Sequence, residues 1–286
     1  MNAAEGRLQI GLAGQGTLRW AAADITGVLE EARRRLDLSP IAAVALGRTL
    51  TAATLIQRIS LRLSSRLIVE VLGDGPLGKV IAEADSQGRL RGLVGAPRIA
   101  TPADGRMALA PLVGHGLLRV TREDERSRHS SQVALVTSEL GEDVAHFLEQ
   151  SEQIRSAVLL GVLPRPGGIA AAGGFVVEAL PGTEDGLVEE LERNIRGVEG
   201  VSAVLGRGGG AALAAAVLDG LDCELLEEVP LHYRCRCSRE TLRAQLLTLA
   251  HADLESVLGE DGQCEAECAF CGATYRFPAA ELLATN

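Results

Sequence analysis

The spacing of apolar positions changes several times along the chain. Ile25, Val28, Leu29, Ala32 and Leu36 recur three or four residues apart, with Glu30, Glu31, Arg33 and Arg34 between them; this predicts an amphipathic helix. A second helix is expected after Pro40. From Ile41 to Ile56 it is apolar on all sides except for Arg48 and the threonines Thr49, Thr51 and Thr54, the pattern of a helix buried in a core. The period then falls to two. Residues 66–72 read as a strand and Gly73-Asp74-Gly75-Pro76 as a turn. Further strands are expected near 78–84, 89–95, 116–121 and 132–137, and their short separations favour antiparallel hairpins over parallel crossovers. A helix near 141–150 and apolar runs at 156–163 and 174–180 complete an α+β region, residues 1–181, built on a mainly antiparallel sheet. Glu139, Glu142 and Asp143 read as the solvated start of the helix near 141.

Pro181-Gly182 marks a boundary. Residues 183–231 hold eleven acidic and three basic side chains, a net of −8 out of −10 for the whole chain. Val188, Leu191, Ile195 and Val198 line one helical face, Thr183 is placed to cap it, and an alanine-rich helix is expected near 211–219. Gly206 and Gly208 to Gly210 cost backbone order, and the like charges repel. The expectation is an acidic helical linker over 182–231 with little stability of its own; a plain acidic linker with a solvated face is the alternative. The last segment, 232–286, is too short to bury much core without a staple. Within it, Ser238 stands where a helix cap belongs, ahead of Leu242, Leu246 and Leu247, and Gly262 is expected to turn the chain into a hairpin.

Composition narrows the function. Aromatic residues are 2% of the chain, so the core must be built from Ala, Val, Leu and Ile, and the stacking platforms of single-strand nucleic-acid binders are missing. The negative charge also argues against a polyanion as partner. The opening residues carry alternating charges with no apolar run behind them, and the stretch from Ile41 to Ile56 is too short and too polar for a membrane span. The expectation is a cytoplasmic protein that binds neither membrane nor nucleic acid. Six cysteines in a reducing compartment point to metal or redox chemistry.

That chemistry centres on Cys235-Arg236-Cys237 and Cys268-Ala269-Phe270-Cys271. Two close thiol pairs can supply all four corners of a tetrahedral zinc site. A structural zinc ion contributes on the order of 10–16 kcal/mol of apparent binding energy in small modules. For so short a segment this decides between folded and unfolded. The same pairs can oxidise. In an extended strand, residues two apart stand roughly 6.5 Å from each other, near the limit for a disulfide, so joining Cys235 to Cys237 requires the backbone to bend. Structural zinc, redox switch, or both remain open from the residues alone. A thioredoxin-like oxidoreductase would place its CxxC at the start of a helix, whereas Cys268 falls in an expected hairpin. Cys264 could compete as a ligand. Cys223 reads as a small core residue, and His232 and His251 as surface or packing residues. No GxSxG, HExxH or phosphate-loop spacing is present.

The segment from Tyr233 through Cys235, Cys237 and Ser238 to Glu240 resembles the first cysteine pair of the 33 kDa chaperonin family, redox-regulated heat-shock chaperones. Asp261-Gly262 and Cys268 to Phe277 resemble the second pair and its aromatic hairpin. Gly73 to Gly78, Gln150 to Gln153, and Gly173 to Pro181 add matches in the same order along the chain. The resemblance implies an ATP-independent holdase and no enzymatic activity. It implies one zinc ion per chain held by Cys235, Cys237, Cys268 and Cys271 in an inactive reduced state. Oxidants and heat would form disulfides Cys235–Cys237 and Cys268–Cys271, release zinc, and unfold the 232–286 switch domain and the linker. A homodimer would then bind unfolding client proteins through the 1–181 domain. The competing reading is a zinc-ribbon nucleic-acid-binding protein. Against it, 232–286 has five Arg and eight Asp or Glu, and no basic patch.

Overall fold

The computed structural model describes residues 5–59, 64–102, 105–259 and 261–283, and divides the chain into two compact units that meet between Tyr233 and Arg234. The first unit runs β1 (Glu5–Ala13), β2 (Leu18–Asp24), α1 (Thr26–Leu36), α2 (Pro40–Ile59), β3 (Arg66–Gly73), β4 (Lys79–Asp85), β5 (Arg89–Val94), α3 (Ala110–Val113), β6 (Gly116–Glu123), β7 (Arg128–Ala134), α4 (Gly141–Glu152), β8 (Ser156–Arg165), β9 (Gly168–Ala179), α5 (Asp185–Gly197), α6 (Val201–Val217) and β10 (Cys223–Tyr233). Among the described residues, the ten strands of this unit form one sheet in the order β7-β6-β3-β4-β5-β10-β1-β2-β9-β8. Every pairing is antiparallel except that of β10 with β5, which spans only His232↔Arg89 and Tyr233↔Leu90. The fold is α+β, as the alternation of periods predicts.

Helix α2 is the spine of this unit. Every residue in it except Pro40, Arg48 and Arg58 is buried, and its threonines Thr49, Thr51 and Thr54 return their hydroxyls to carbonyls one turn back. That local bonding is what lets three polar side chains sit in an apolar helix without a buried unpaired donor. The strands expected from period-two alternation appear as β3 to β7 within a few residues of their predicted ends. The apolar runs at 156–163 and 174–180 are the hairpin β8–β9.

The acidic stretch after Pro181 packs into the first unit. Strand β2 alternates its faces: Leu18, Trp20 and Ala22 join Phe175 and Val177 of β9 in a cluster closed by Leu191 of α5 and by Val204, Leu205, Leu213 and Val217 of α6. Trp20 and Phe175 stack with centroids 6.2 Å apart. Helix α6 is two segments broken at Gly208 and Gly209; Gly209 has φ +64°, and a side chain there would meet the Asp24 carboxylate. The glycine cluster is thus a built corner. Residues 182–231, expected to be helical, also carry most of β10, which the sequence reading lacked.

Three further corrections concern single residues. Asp143 belongs to no solvated helix start: it is fully buried, its Oδ1 accepts the amides of Val136 and Thr137, and its Oδ2 accepts that of Leu140. Glu139 likewise accepts the amides of Leu109 and Ala110 and pairs with Arg48 at 2.7 Å. Only Glu142 of that trio is exposed. Cys223, expected in the core, is exposed at the start of β10, because among the described residues this half of the strand has β1 on one side and no paired strand on the other.

The second unit contains α7 (Arg239–Leu246), α8 (His251–Ser256), the hairpin β11 (Gln263–Glu267) and β12 (Thr274–Pro278), and α9 (Ala279–Leu283). Its buried cluster is small: Leu242, Leu254, Cys264, Phe277 and Leu282.

Candidate metal centre

Two local structures bring the four cysteines together. Cys235 and Cys237 lie in an irregular segment between β10 and α7, not in a strand as the sequence reading supposed. Ser238 ends that segment as the N-cap of α7: its Oγ accepts the Thr241 amide at 3.2 Å, and the Thr241 hydroxyl accepts the Ser238 amide at 2.8 Å. Cys268 and Cys271 lie in the turn between β11 and β12. The Cys268 carbonyl accepts the amides of Cys271 at 3.1 Å and Gly272 at 2.8 Å, and Gly272 turns the chain with φ +69°. The expected hairpin is therefore present, and its turn carries the thiols.

The four sulfurs all lie within 4.8 Å of one another. Cys235 Sγ stands 3.7 Å from Cys268 Sγ, and Cys237 Sγ stands 3.5 Å from Cys271 Sγ. Four sulfurs placed tetrahedrally around a zinc ion at about 2.3 Å would be separated by roughly 3.8 Å, so the donor set fits that ion. The electrostatics point the same way. Burial first, then the neighbouring Cys235 and Cys237 thiols, pushes Cys268 above the ordinary thiol range, and Cys271 is pushed up for the same reasons. A cluster of thiols that disfavour one another's ionisation is one that a cation stabilises.

The structure separates Cys264 from this group. It sits on β11 opposite Phe277, 2% exposed, and faces the apolar cluster. Burial raises its pKa as well. His232 lies on β10 in the first unit, half-buried. The side chain of His251 lies outside the described residues. Two neighbours of the site stood in the sequence reading only as members of the matched segments, with no role given to them. The Tyr275 hydroxyl reaches Cys237 Sγ at 3.3 Å. Arg239 lays its guanidinium 4.4 Å from the Phe277 ring centroid, bonds the Arg276 carbonyl and pairs with Glu281. The aromatic residues of the segment Thr274–Pro278 carried the only sequence signal for either.

Among the described residues, no single helix is long and apolar enough to cross a membrane. The family model described as Hsp33 protein matches residues 6–278. A "33 kDa chaperonin" from Thermus thermophilus is 40% identical over 291 aligned residues, covering 97% of this chain and 85% of the relative. One from Deinococcus radiodurans is 39% identical and covers 96% of each chain. One from Bacillus licheniformis is 37% identical and covers 95% of each. The crystal structure of a 33 kDa chaperonin, a heat shock protein 33 homolog from Thermotoga maritima, superposes with a TM-score of 0.85 at 30% identity, over 97% of this chain and 96% of that one. With a four-thiol centre in the second unit and similarity along nearly its whole length, this chain belongs to the Hsp33 family.

Proposed function

We propose that this protein is a redox-regulated, ATP-independent chaperone that binds unfolding proteins and prevents their aggregation. The observation that carries the reading is a cluster of four mutually adjacent thiols in a unit with very little apolar core. Cys235, Cys237, Cys268 and Cys271 would hold one zinc ion, which supplies the positive charge that keeps them as thiolates and ties the segment before α7 to the β11–β12 turn. Oxidation to the disulfides Cys235–Cys237 and Cys268–Cys271 removes all four donors. A unit buried mainly around Phe277, Leu242 and Leu254 then loses a contribution on the order of 10–16 kcal/mol. It has nothing of that size to replace it.

The acidic segment supports the second half of the mechanism. In this reading 1–181 is the client-binding and dimerising domain, 182–231 the linker, and 232–286 the switch. Helices α5 and α6 cover the Trp20 and Phe175 cluster. Their departure would uncover an apolar sheet face of the kind that binds unfolded chains. A homodimer in the oxidised state, a cytoplasmic location and the absence of turnover belong to the same reading. The test is to treat the zinc-loaded protein with peroxide at raised temperature and follow zinc release and suppression of client aggregation together. Zinc release without any gain in suppression would refute the switch; suppression at full strength in the reduced, zinc-loaded protein would refute it equally.

A further inference from the structure

Tyr275 stands on β12, paired with Ala266 of β11, with its ring packed against the cluster of Leu242, Cys264 and Phe277. Its hydroxyl crosses to the segment before α7 and meets Cys237 Sγ at 3.3 Å. When that sulfur is held as a thiolate it has no proton to give, so the phenol must be the donor. A hydrogen bond to an anionic sulfur withdraws electron density from the lone pairs that attack an oxidant. The contact also joins two separate pieces of the unit. It exists only while the hairpin and the segment of residues 234–238 are both in place.

We infer that Tyr275 is a positioning residue that restrains Cys237 from oxidation, and that the restraint is lifted when the β11–β12 hairpin loosens. The inference rests on the redox-switch reading above and deepens it. The step it controls is attack of the Cys237 thiolate on a peroxide. The O–O bond breaks, an S–O bond forms, sulfur is oxidised by two electrons, and the peroxide leaves as an alcohol or water after taking a proton. A neighbouring thiolate, Cys235 in the proposed pairing, then attacks the sulfenic sulfur. The S–S bond forms, the S–O bond breaks, and the departing hydroxide takes a proton to become water. While the phenol is bound to Cys237 the first of these attacks is slowed. Heat that opens the hairpin removes the phenol and exposes a fully nucleophilic sulfur, so temperature and oxidant act on the same atom.

The experiment compares the full-length, zinc-loaded protein with its Tyr275→Phe variant, which keeps the packed ring and loses only the hydroxyl. Site-resolved mass spectrometry follows alkylation by iodoacetamide in one arm and oxidation by hydrogen peroxide in the other, at low and at raised temperature. A hydrogen bond to a charged group is worth about ten- to a hundredfold in an equilibrium, and part of that is expressed in a rate. Cys237 of the variant should therefore react roughly three- to tenfold faster than in the parent at low temperature. The two proteins should converge when heated. Equal Cys237 rates at low temperature would overturn the inference, as would equal acceleration of all four cysteines with loss of bound zinc. If peroxide releases no zinc from the parent, the redox-switch reading falls, and the alkylation arm still decides the role of the hydroxyl.

Discussion

At the scale of single residues, the two thiol environments of the second unit predict opposite outcomes. Cys237 shares the cluster with three other sulfurs, and Cys237→Ser offers a poor zinc donor in its place. With so small an apolar cluster to fall back on, residues 234–283 should lose their amide exchange protection while the first unit keeps its own. Unchanged protection in the second unit would count against a structural metal. Cys264→Ser acts elsewhere. It places a hydroxyl opposite Phe277, where burial already disfavours the thiolate. An unsatisfied buried hydroxyl costs about 1–3 kcal/mol, well below the stabilisation expected from zinc. The variant should therefore bind one zinc per chain and still activate, with a lower melting temperature for the unit alone. Loss of zinc in stoichiometric terms would mean that Cys264 replaces one of the four ligands. The cysteine pairs were legible because their spacing is chemistry in itself. Tyr275, Asp143 and Glu139 were not, because what they do depends on which backbone amides or sulfurs the fold delivers to them. A Glu or Asp beside a helix start reads the same whether it faces water or collects three amides.

At the scale of elements, legibility followed side-chain bulk. Strands β3 to β6 carry Leu, Ile and Val on alternate positions and declare their period. Strands β1 and β2 do not. Gly11, Ala13, Ala21, Ala22 and Ala23 fill most of their buried positions, since Trp20 lies where a Gly11 side chain would be and both α2 and α6 pack on β2. Small residues give a weak periodic signal for that reason. Strand β10 hid behind its charge: Glu224, Glu227 and Glu228 read as linker, yet the strand pairs with β1 from Cys223 to His232 across one bulge. The corner in α6 is the element most open to test. Gly209→Val would force a branched side chain into a left-handed conformation against the Asp24 carboxylate, whose other oxygen is already held by Thr26. The strain should lift α6 from the sheet without touching a cysteine. We expect the reduced variant to keep one zinc per chain, to bind an apolar dye, and to be cut by protease within residues 183–231. A variant as resistant as its parent would show that this cover does not depend on the corner.

At the scale of the whole molecule, the proposed switch has two parts held by different forces. The second unit depends on four thiols and a metal. The linker elements depend on an apolar cluster inside the first unit, where Leu191, Val204, Leu205, Leu213 and Val217 meet Trp20 and Phe175. Strand β10 adds backbone pairing to β1 and the two-residue contact with β5 that makes one sheet of two halves. Side chains of this size stabilise by about 1.5–3 kcal/mol each when fully buried, before the entropy of ordering the segment is subtracted. None of that stabilisation comes from the thiols, so removing the metal should not by itself release the linker. In the proposed switch, the acidic charge and the glycine corner would leave it a modest net stability that heat could overcome. The prediction is a sequence of events. Under reducing conditions at low temperature, a zinc chelator should abolish exchange protection over residues 234–283 and leave α5, α6 and β10 protected. Raising the temperature of that chelated protein should then open 185–233, and suppression of client aggregation should rise with the second event and not the first. Such an order explains why a chaperone of this construction would answer to oxidant and heat together. Simultaneous loss of protection in both segments on cold chelation would sink the two-force account, since the linker would then be held in place by the metal-bound unit and not by its own cluster on the sheet.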